Sequence, residues 1–249
     1  MNLQPLYDEL TDLYASAAGV LGCYVSGSAS YGGMTPESDL DFYVLTDEYQ
    51  GLAERIHGVR RVEVRWRSYD ALSLDIAGGG PSIYQLLDAT PILDHGGKVA
   101  ELISDARERF DSFSHSSATV KEIHFRVGEA RMKLRSAIRK GDQPLQAYLC
   151  AVCTELMLDA LFVMVDKPLA KGTTAWRWFH QLPGLREEGR AHIKELIQRP
   201  LQERAAGMEA MLDQLHGTLT SKMKQLNQKP VGPFNRDQAA ENVSGNPPQ

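Results

Sequence analysis

The chain has 249 residues, of which 43% are apolar and 24% are charged. This composition is ordinary for a soluble globular protein and suits one large domain or two small ones. The formal net charge of −5 argues against nucleic acid held by bulk electrostatics, so that only a local basic groove would allow such a partner. Three cysteines make no disulfide framework, and we therefore expect a reducing compartment and a cytoplasmic protein.

Neither the start of the chain nor its most apolar stretch predicts a targeting or membrane segment. The first residues lack the basic and apolar regions of a signal peptide. The longest apolar stretch, 145–165, is interrupted by Gln146, Glu155 and Asp159. A membrane-spanning helix rarely carries such side chains, so no membrane partner is expected.

The first part of the chain alternates between helical and strand patterns. Leucines at helical spacing predict an amphipathic helix over residues 3–17. Short β-rich runs separated by turn residues follow, and they predict strands at 21–26, 39–46, 59–68 and 91–94. The stretch 77–97 adds a glycine run and a short helix before the last of these strands. The mixture predicts an α+β domain over residues 1–105.

From about residue 115 the pattern becomes helical throughout. An apolar stripe, which Gly141 is placed to end, is formed by Val120, Ile123, Val127, Ala130, Leu134 and Ile138. Pro144 is suited to begin a second long helix that ends near residue 165. Further helices are predicted over 172–181 and 186–225. A helical domain over 115–226 and a disordered tail over 227–249 complete the prediction.

Two aspartates interrupt the apolar strand predicted at 39–46. Residues two apart in a strand point the same way, so Asp39 and Asp41 share one face and repel each other. A divalent cation is the simplest means of offsetting that repulsion, and Mg²⁺ typically uses one or two carboxylates together with substrate phosphates. Glu63, in the strand predicted at 59–68, adds a third acid at the same spot if the two strands are neighbours.

A glycine-rich turn precedes the acidic strand. Gly27 and Ser28 end the preceding strand, and Gly32 and Gly33 follow after small residues. Glycine allows the backbone to approach a ligand closely, and free N–H groups at such a turn suit phosphate oxygens. Phosphate donors beside an acidic, metal-binding face indicate phosphoryl chemistry on a nucleoside triphosphate.

Gly27-Ser28, ten further residues and Asp39-x-Asp41 resemble the signature of the nucleotidyltransferase superfamily that includes polymerase beta. Within it the sequence looks most like the aminoglycoside and lincosamide nucleotidyltransferases. The motif covers roughly residues 20–70. The stretch LAKGTTAWRWFHQLP at 169–183 is similar to part of the helical domain of streptomycin/spectinomycin adenylyltransferases. The resemblance implies a nucleotidyltransferase domain, a mixed β-sheet with flanking helices, followed by an α-helical substrate-binding bundle.

The resemblance also implies a role for each residue of the motif. Gly27 and Ser28 would bind the β- and γ-phosphates, and Asp39 and Asp41 would hold Mg²⁺. Glu63 falls where the family places its third carboxylate, which is a metal ligand or the general base. Family members differ at that position, and in several the base lies elsewhere.

The helical half supplies two further candidates. Glu155 lies one turn before Asp159 in an apolar helix, and it would be the general base if that helix faced the first domain. Lys171 would bind a phosphate from the helical side. The alternatives are a solvent-facing acid and an ordinary surface lysine.

Together these features predict a Mg²⁺-dependent enzyme that transfers AMP, or another nucleotide, from ATP or another nucleoside triphosphate to a hydroxyl. The expected acceptor is a small polyhydroxylated molecule such as an aminoglycoside or lincosamide antibiotic, with release of pyrophosphate. One alternative is transfer to a protein or tRNA, as in toxin-antitoxin systems. Another is a non-catalytic nucleotide-binding regulator. Monomer and homodimer are both compatible with the sequence.

Overall fold

The structure, a computed structural model, describes residues 3–48, 52–57 and 60–228, with only the backbone at 52–57 and at residue 60. The predicted tail therefore lies outside the described residues from position 229 onward. Positions 227 and 228 form the end of the last helix.

Five strands form one mixed sheet: β1 (Val20–Ser26), β2 (Leu40–Thr46), β3 (Leu52–His57), β4 (Arg60–Ser68) and β5 (Thr90–Asp94). Their spatial order is β3-β4-β2-β1-β5, in which β2 and β4 run parallel and the other neighbours run antiparallel. The four predicted strands are confirmed to within a residue. The prediction missed β3, whose sequence LAERIH lacks a clear period of two and which pairs only with β4 among the described strands.

The described part of the chain contains these α-helices: α1 (Gln4–Tyr14), α2 (Tyr69–Gly78), α3 (Ser82–Leu87), α4 (Lys98–Ser112), α5 (Ser117–Lys140), α6 (Gln143–Met164), α7 (Gly172–Phe179), α8 (Glu187–Gln198) and α9 (Leu201–Gln228). The predicted α+β class, with its helical second half, is confirmed. The helical structure predicted over 186–225 is confirmed, but it is interrupted before Pro200, which divides it into α8 and α9. Arg199 is extended there (ψ 154°), as the ring of a following proline favours.

The two faces of the sheet belong to two apolar clusters. Leu40, Phe42 and Val44 point toward α1 and are fully buried, whereas Tyr43 and Leu45 point the other way, toward α2, α3 and α4. The cluster that contains Tyr43 and Leu45 continues from α4 into α5, α6 and α9. This apolar core therefore runs across the predicted domain boundary at 105–115. Each buried apolar side chain contributes roughly 1.5–3 kcal/mol. This shared core holds the helical half against the sheet.

The first two long helices of the second half, α5 and α6, end and begin where Gly141 and Pro144 predicted. The Ser116 hydroxyl accepts a hydrogen bond from the Thr119 N–H at the start of α5, and Gly141 ends that helix with φ of 66°. α6 is long and apolar enough to cross a membrane by composition alone, but 61% of its most apolar stretch is buried within the protein. It is packed as the core helix of a soluble protein is, mainly against α5 and α9.

Candidate active site

A cleft of about 480 Å³ opens between the end of β1, the start of β2 and the helix α7. One wall comes from the sheet and its glycine turn, and the opposite wall comes from α7 and the segment before it. The inner surface is completed by Pro81, Tyr84, Gln85 and Asp88, at and after α3. The predicted residues Gly27, Ser28, Asp39, Asp41 and Lys171 all line this one cleft.

The sheet wall is acidic. Asp41 lies in register with Ser26 of β1 and with Glu63 of β4, and Asp39 directly precedes β2. Burial raises the pKa of the Asp41 carboxyl, the nearby Arg65 opposes that rise, and the charges of Asp39 and Glu63 add to it. The fold therefore holds a carboxylate where its charged form is disfavoured, which favours a cationic ligand at this place.

Glycine is required at the turn that precedes the acidic strand. Gly27 has φ of 69°, in the left-handed region that other residues rarely adopt. A Cβ at this position would lie 3.0 Å from Oδ2 of Asp41. Gly27 therefore permits both the turn and the close approach of the backbone to the carboxylate. The turn itself is a single 3₁₀ turn, in which the Ser30 N–H donates to the Gly27 carbonyl.

Glu63 lies beside Asp41 in the sheet but does not line the cleft. It is buried, and its two oxygens accept hydrogen bonds from Arg61 and Arg65. Arg65 also brings its Nε to 3.5 Å from Oδ1 of Asp41. The strands are neighbours as expected, but no three His, Cys, Asp or Glu side chains converge as a metal site within the part of the chain that the structure describes.

Two carboxylates in one cleft nevertheless suit a magnesium ion. Asp39 and Asp41 offer hard oxygen ligands on one wall of the cleft, and burial raises the pKa of the Asp41 carboxyl. Mg²⁺ keeps several waters and commonly takes one or two protein carboxylates together with substrate phosphates. The donor set therefore fits this ion, with Asp39 and Asp41 as the residues that would hold it.

The opposite wall is basic. Lys171 lies just before α7, with its ammonium 3.0 and 3.1 Å from the two carboxylate oxygens of Asp159. Asp159 is buried on α6 and also lies 3.8 Å from a guanidinium nitrogen of Arg126. The buried carboxylate thus anchors Lys171 at the cleft. Most of the lysine side chain remains exposed, 68%, and available to a ligand.

Sequence reasoning missed Arg177, the second cation of this wall. Its guanidinium pairs with Asp88, which also accepts a hydrogen bond from the Trp178 indole, and it lies 4.3 Å from the ring centroid of Tyr31. Arg177 thereby ties α7 both to the segment after α3 and to the glycine turn. The available signal was the spacing of Lys171, Thr174 and Arg177, since residues three apart share one side of a helix.

Glu155 does not line the cleft. It is exposed on α6 and lines a second cavity of about 640 Å³, which lies among α5, α6, α7 and α8. The two cavities share the residues Ala170, Lys171 and Thr173. The structure thus brings five predicted site residues together and leaves Glu63 behind the sheet wall and Glu155 behind the α7 wall.

Comparison with known proteins gives little beyond this geometry. No protein-family model matches the sequence, and no curated protein matches it. A solved structure of a nucleotidyltransferase-like protein from Exiguobacterium sibiricum is 11% identical, over 91% of this chain and 78% of that chain, with a TM-score of 0.48. A likeness of that size does not establish a common fold or activity, so the functional argument depends on the cleft.

Proposed function

We propose that the protein is a Mg²⁺-dependent nucleotidyltransferase, which transfers a nucleotide from ATP or another nucleoside triphosphate to a hydroxyl of a small molecule. One observation carries the proposal: two aspartates beside a close-approach glycine turn face Lys171 and Arg177 across a single cleft. A triphosphate with its metal is negative on one side and positive on the other, so it is complementary to both walls.

Each wall has a defined task in this proposal. Asp39 and Asp41 hold the metal, and the backbone at Gly27 with the hydroxyl of Ser28 binds the terminal phosphates. Lys171 and Arg177 bind phosphate oxygens from the helical side, with the hydroxyls of Thr173 and Thr174 beside them. When bound, Mg²⁺ supplies charge neutralisation at the phosphates.

The transfer breaks one bond and forms another at the α-phosphorus. The acceptor oxygen attacks, the bond to the β-phosphate oxygen breaks, and pyrophosphate leaves with that electron pair. The acceptor proton passes to a base, for which Glu63 and Glu155 remain the predicted candidates. Glu63 lies beside Asp41 in the sheet, one side chain removed from the cleft, whereas Glu155 lies farther away, in the second cavity beyond α7.

The test is pyrophosphate release with ATP and Mg²⁺ across a panel of aminoglycosides and lincosamides, repeated with other nucleoside triphosphates. Asp41→Asn is the inactive variant, and Asp47→Asn, an exposed aspartate just after β2, is the matched control. Release that needs an acceptor and is lost only in Asp41→Asn supports the proposal. ATP-dependent mass gain on a protein or tRNA would instead favour a macromolecular acceptor. Binding of Mg²⁺-ATP without any transfer would favour a regulator.

A further inference from the structure

The cavity among α5, α6, α7 and α8 has an apolar floor. Leu158 and Ala175 are buried there, and Trp176 and Ile197 are half-buried with part of their surface turned to the opening. The Trp176 ring is fixed by stacking on Phe179, with ring centroids 5.5 Å apart. The cavity is concave and its surface is mainly apolar, and it also carries the charged side chains of Arg126, Glu155, Asp159 and Lys171, as small-molecule sites commonly do.

The two acids of the cavity differ in their electrostatic state. Asp159 is buried and shared by two cations, the ammonium of Lys171 and the guanidinium of Arg126. Glu155, one turn earlier on α6, is exposed and makes no ion pair within the described residues. Arg126 and Lys171 also line the cavity and share Asp159, so among the charged side chains that line it Glu155 alone lacks a counterion, and a single positive charge placed at Glu155 complements it.

The cavity also lies next to the proposed nucleotide site. Ala170, Lys171 and Thr173 line both spaces, so only the segment leading into α7 separates them. Two adjoining compartments that share a wall are the arrangement expected of an enzyme that brings two substrates together.

We propose that this cavity binds the acceptor. The apolar ring or chain of the acceptor packs on Trp176, and its single protonated amine pairs with Glu155. Its hydroxyl extends past Lys171 into the cleft. The inference rests on the proposed function and narrows its substrate class to hydroxylated, amphipathic monoamines. A molecule with several amines would bring further positive charges against Arg126 and Lys171, which line the same cavity and already share Asp159, and against the apolar side chains of Leu158 and Ile197.

Two probes of nearly equal shape test the site directly. Protonated 2-phenylethylamine and neutral 2-phenylethanol differ in the charge that Glu155 is proposed to bind. Saturation-transfer NMR titration should show the amine binding at least threefold more tightly than the alcohol. Glu155→Gln should remove that preference, and Glu155→Lys should abolish amine binding. Glu203→Gln, which changes an exposed glutamate on α9, should behave as the unmodified protein.

The remaining variants separate this inference from the proposed function. Trp176→Phe keeps an aromatic floor and should retain binding of both probes, whereas Trp176→Ala should lose both. Asp41→Asn should leave probe binding unchanged while it removes Mg²⁺-ATP binding. Probe binding in a protein that binds no Mg²⁺-ATP would defeat the proposed function and leave the cavity as a site. Equal binding of amine and alcohol, or normal amine binding by Glu155→Lys, would overturn the cavity site.

Turnover supplies the second readout. In the pyrophosphate assay, release should be confined to hydroxylated monoamines with an apolar ring or chain, and Glu155→Lys should raise KM for such an acceptor at least tenfold without changing KM for ATP. Release confined to acceptors with several amines would overturn the assignment, and so would an unchanged KM for the monoamine.

Discussion

The two walls of the cleft carry opposite charge and arise in different ways. The sheet wall is built from one short stretch, residues 27–41, in which a turn and a strand bring the glycine and both aspartates together. The helical wall depends on Lys171 and Arg177, which reach the cleft only because α7 packs on distant parts of the chain. The acidic wall is therefore a local property of the sequence, whereas the basic wall is a property of the packing.

The largest expected effect tests the acidic wall. Asp41→Asn removes one of the two proposed metal ligands, and we expect it to lower the rate of pyrophosphate release by about 100-fold or more. Activity within a fewfold of the unmodified protein would contradict the assignment of the wall. Asp47→Asn is the control, because it removes the same charge from an exposed position outside the cleft.

The same variant should not be unstable. The pKa of Asp41 is raised chiefly by burial, so the folded protein disfavours its ionised form. Its contribution to stability is therefore present at low pH and lost as the pH rises through the folded-state value. We expect Asp41→Asn to raise the Tm of the ligand-free protein at neutral pH and to abolish any further rise on adding Mg²⁺-ATP. A lower Tm would show that the loss of activity reflects unfolding.

The basic wall should give an intermediate effect. Lys171→Met and Arg177→Gln each remove a cation that faces the proposed phosphates, and we expect each to raise KM for ATP by about tenfold. Lys140→Met, at the exposed end of α5, is the control. Arg177→Gln also leaves Asp88 without its guanidinium, so Arg177→Lys shows whether charge alone suffices. If KM for ATP were unchanged in both variants, the phosphates would be bound by the glycine turn and not by the helical wall.

The Glu63→Gln variant tests whether Glu63 acts directly in the reaction or positions Arg65. It orients Arg65, which in turn lies near Asp41, so we expect Glu63→Gln to lower kcat by about tenfold, less than Asp41→Asn does. Removal of this negative charge should also lower the pKa of Asp41 and move the acidic limb of the pH–rate profile to lower pH. A loss as large as that of Asp41→Asn, with no such shift, would make Glu63 a metal ligand or the general base.

The smallest effect concerns the packing that holds the helical wall. His115 is buried, its Nε2 lies 2.8 Å from the Lys167 carbonyl, and burial lowers its pKa below the usual 6.5. The unfolded chain binds this proton more readily, so the contribution to stability is present above about pH 6.5 and lost as the pH falls. When thermal unfolding is measured between pH 7.5 and 5, the Tm of His115→Gln should fall less with decreasing pH than the Tm of the unmodified protein. Parallel curves would contradict this.

Much of the fold was predictable from local patterns. Period-two runs located four strands, and Gly141 and Pro144 marked the boundary between two long helices. The prediction failed where local signals were weak. The short helix predicted within 77–97 is confirmed as α3, but α2 was not predicted, and its apolar residues Leu72 and Ile76 are buried by tertiary packing. Pro200 is a local signal for the break between α8 and α9, because a proline disfavours helical backbone at the residue before it.

The local sequence is sufficient to form the acidic wall, because the turn at Gly27 and the backbone at the start of β2 place Asp39 and Asp41 within a few residues of each other. What those acids face depends on tertiary packing. The positions of Arg177 and Asp88, and the separation of Glu155 from the cleft, depend on how α6 and α7 pack on the sheet. Contacts between residues about 90 positions apart, such as that of Trp178 with Asp88, produce no periodic pattern in the sequence, so they cannot be predicted from it.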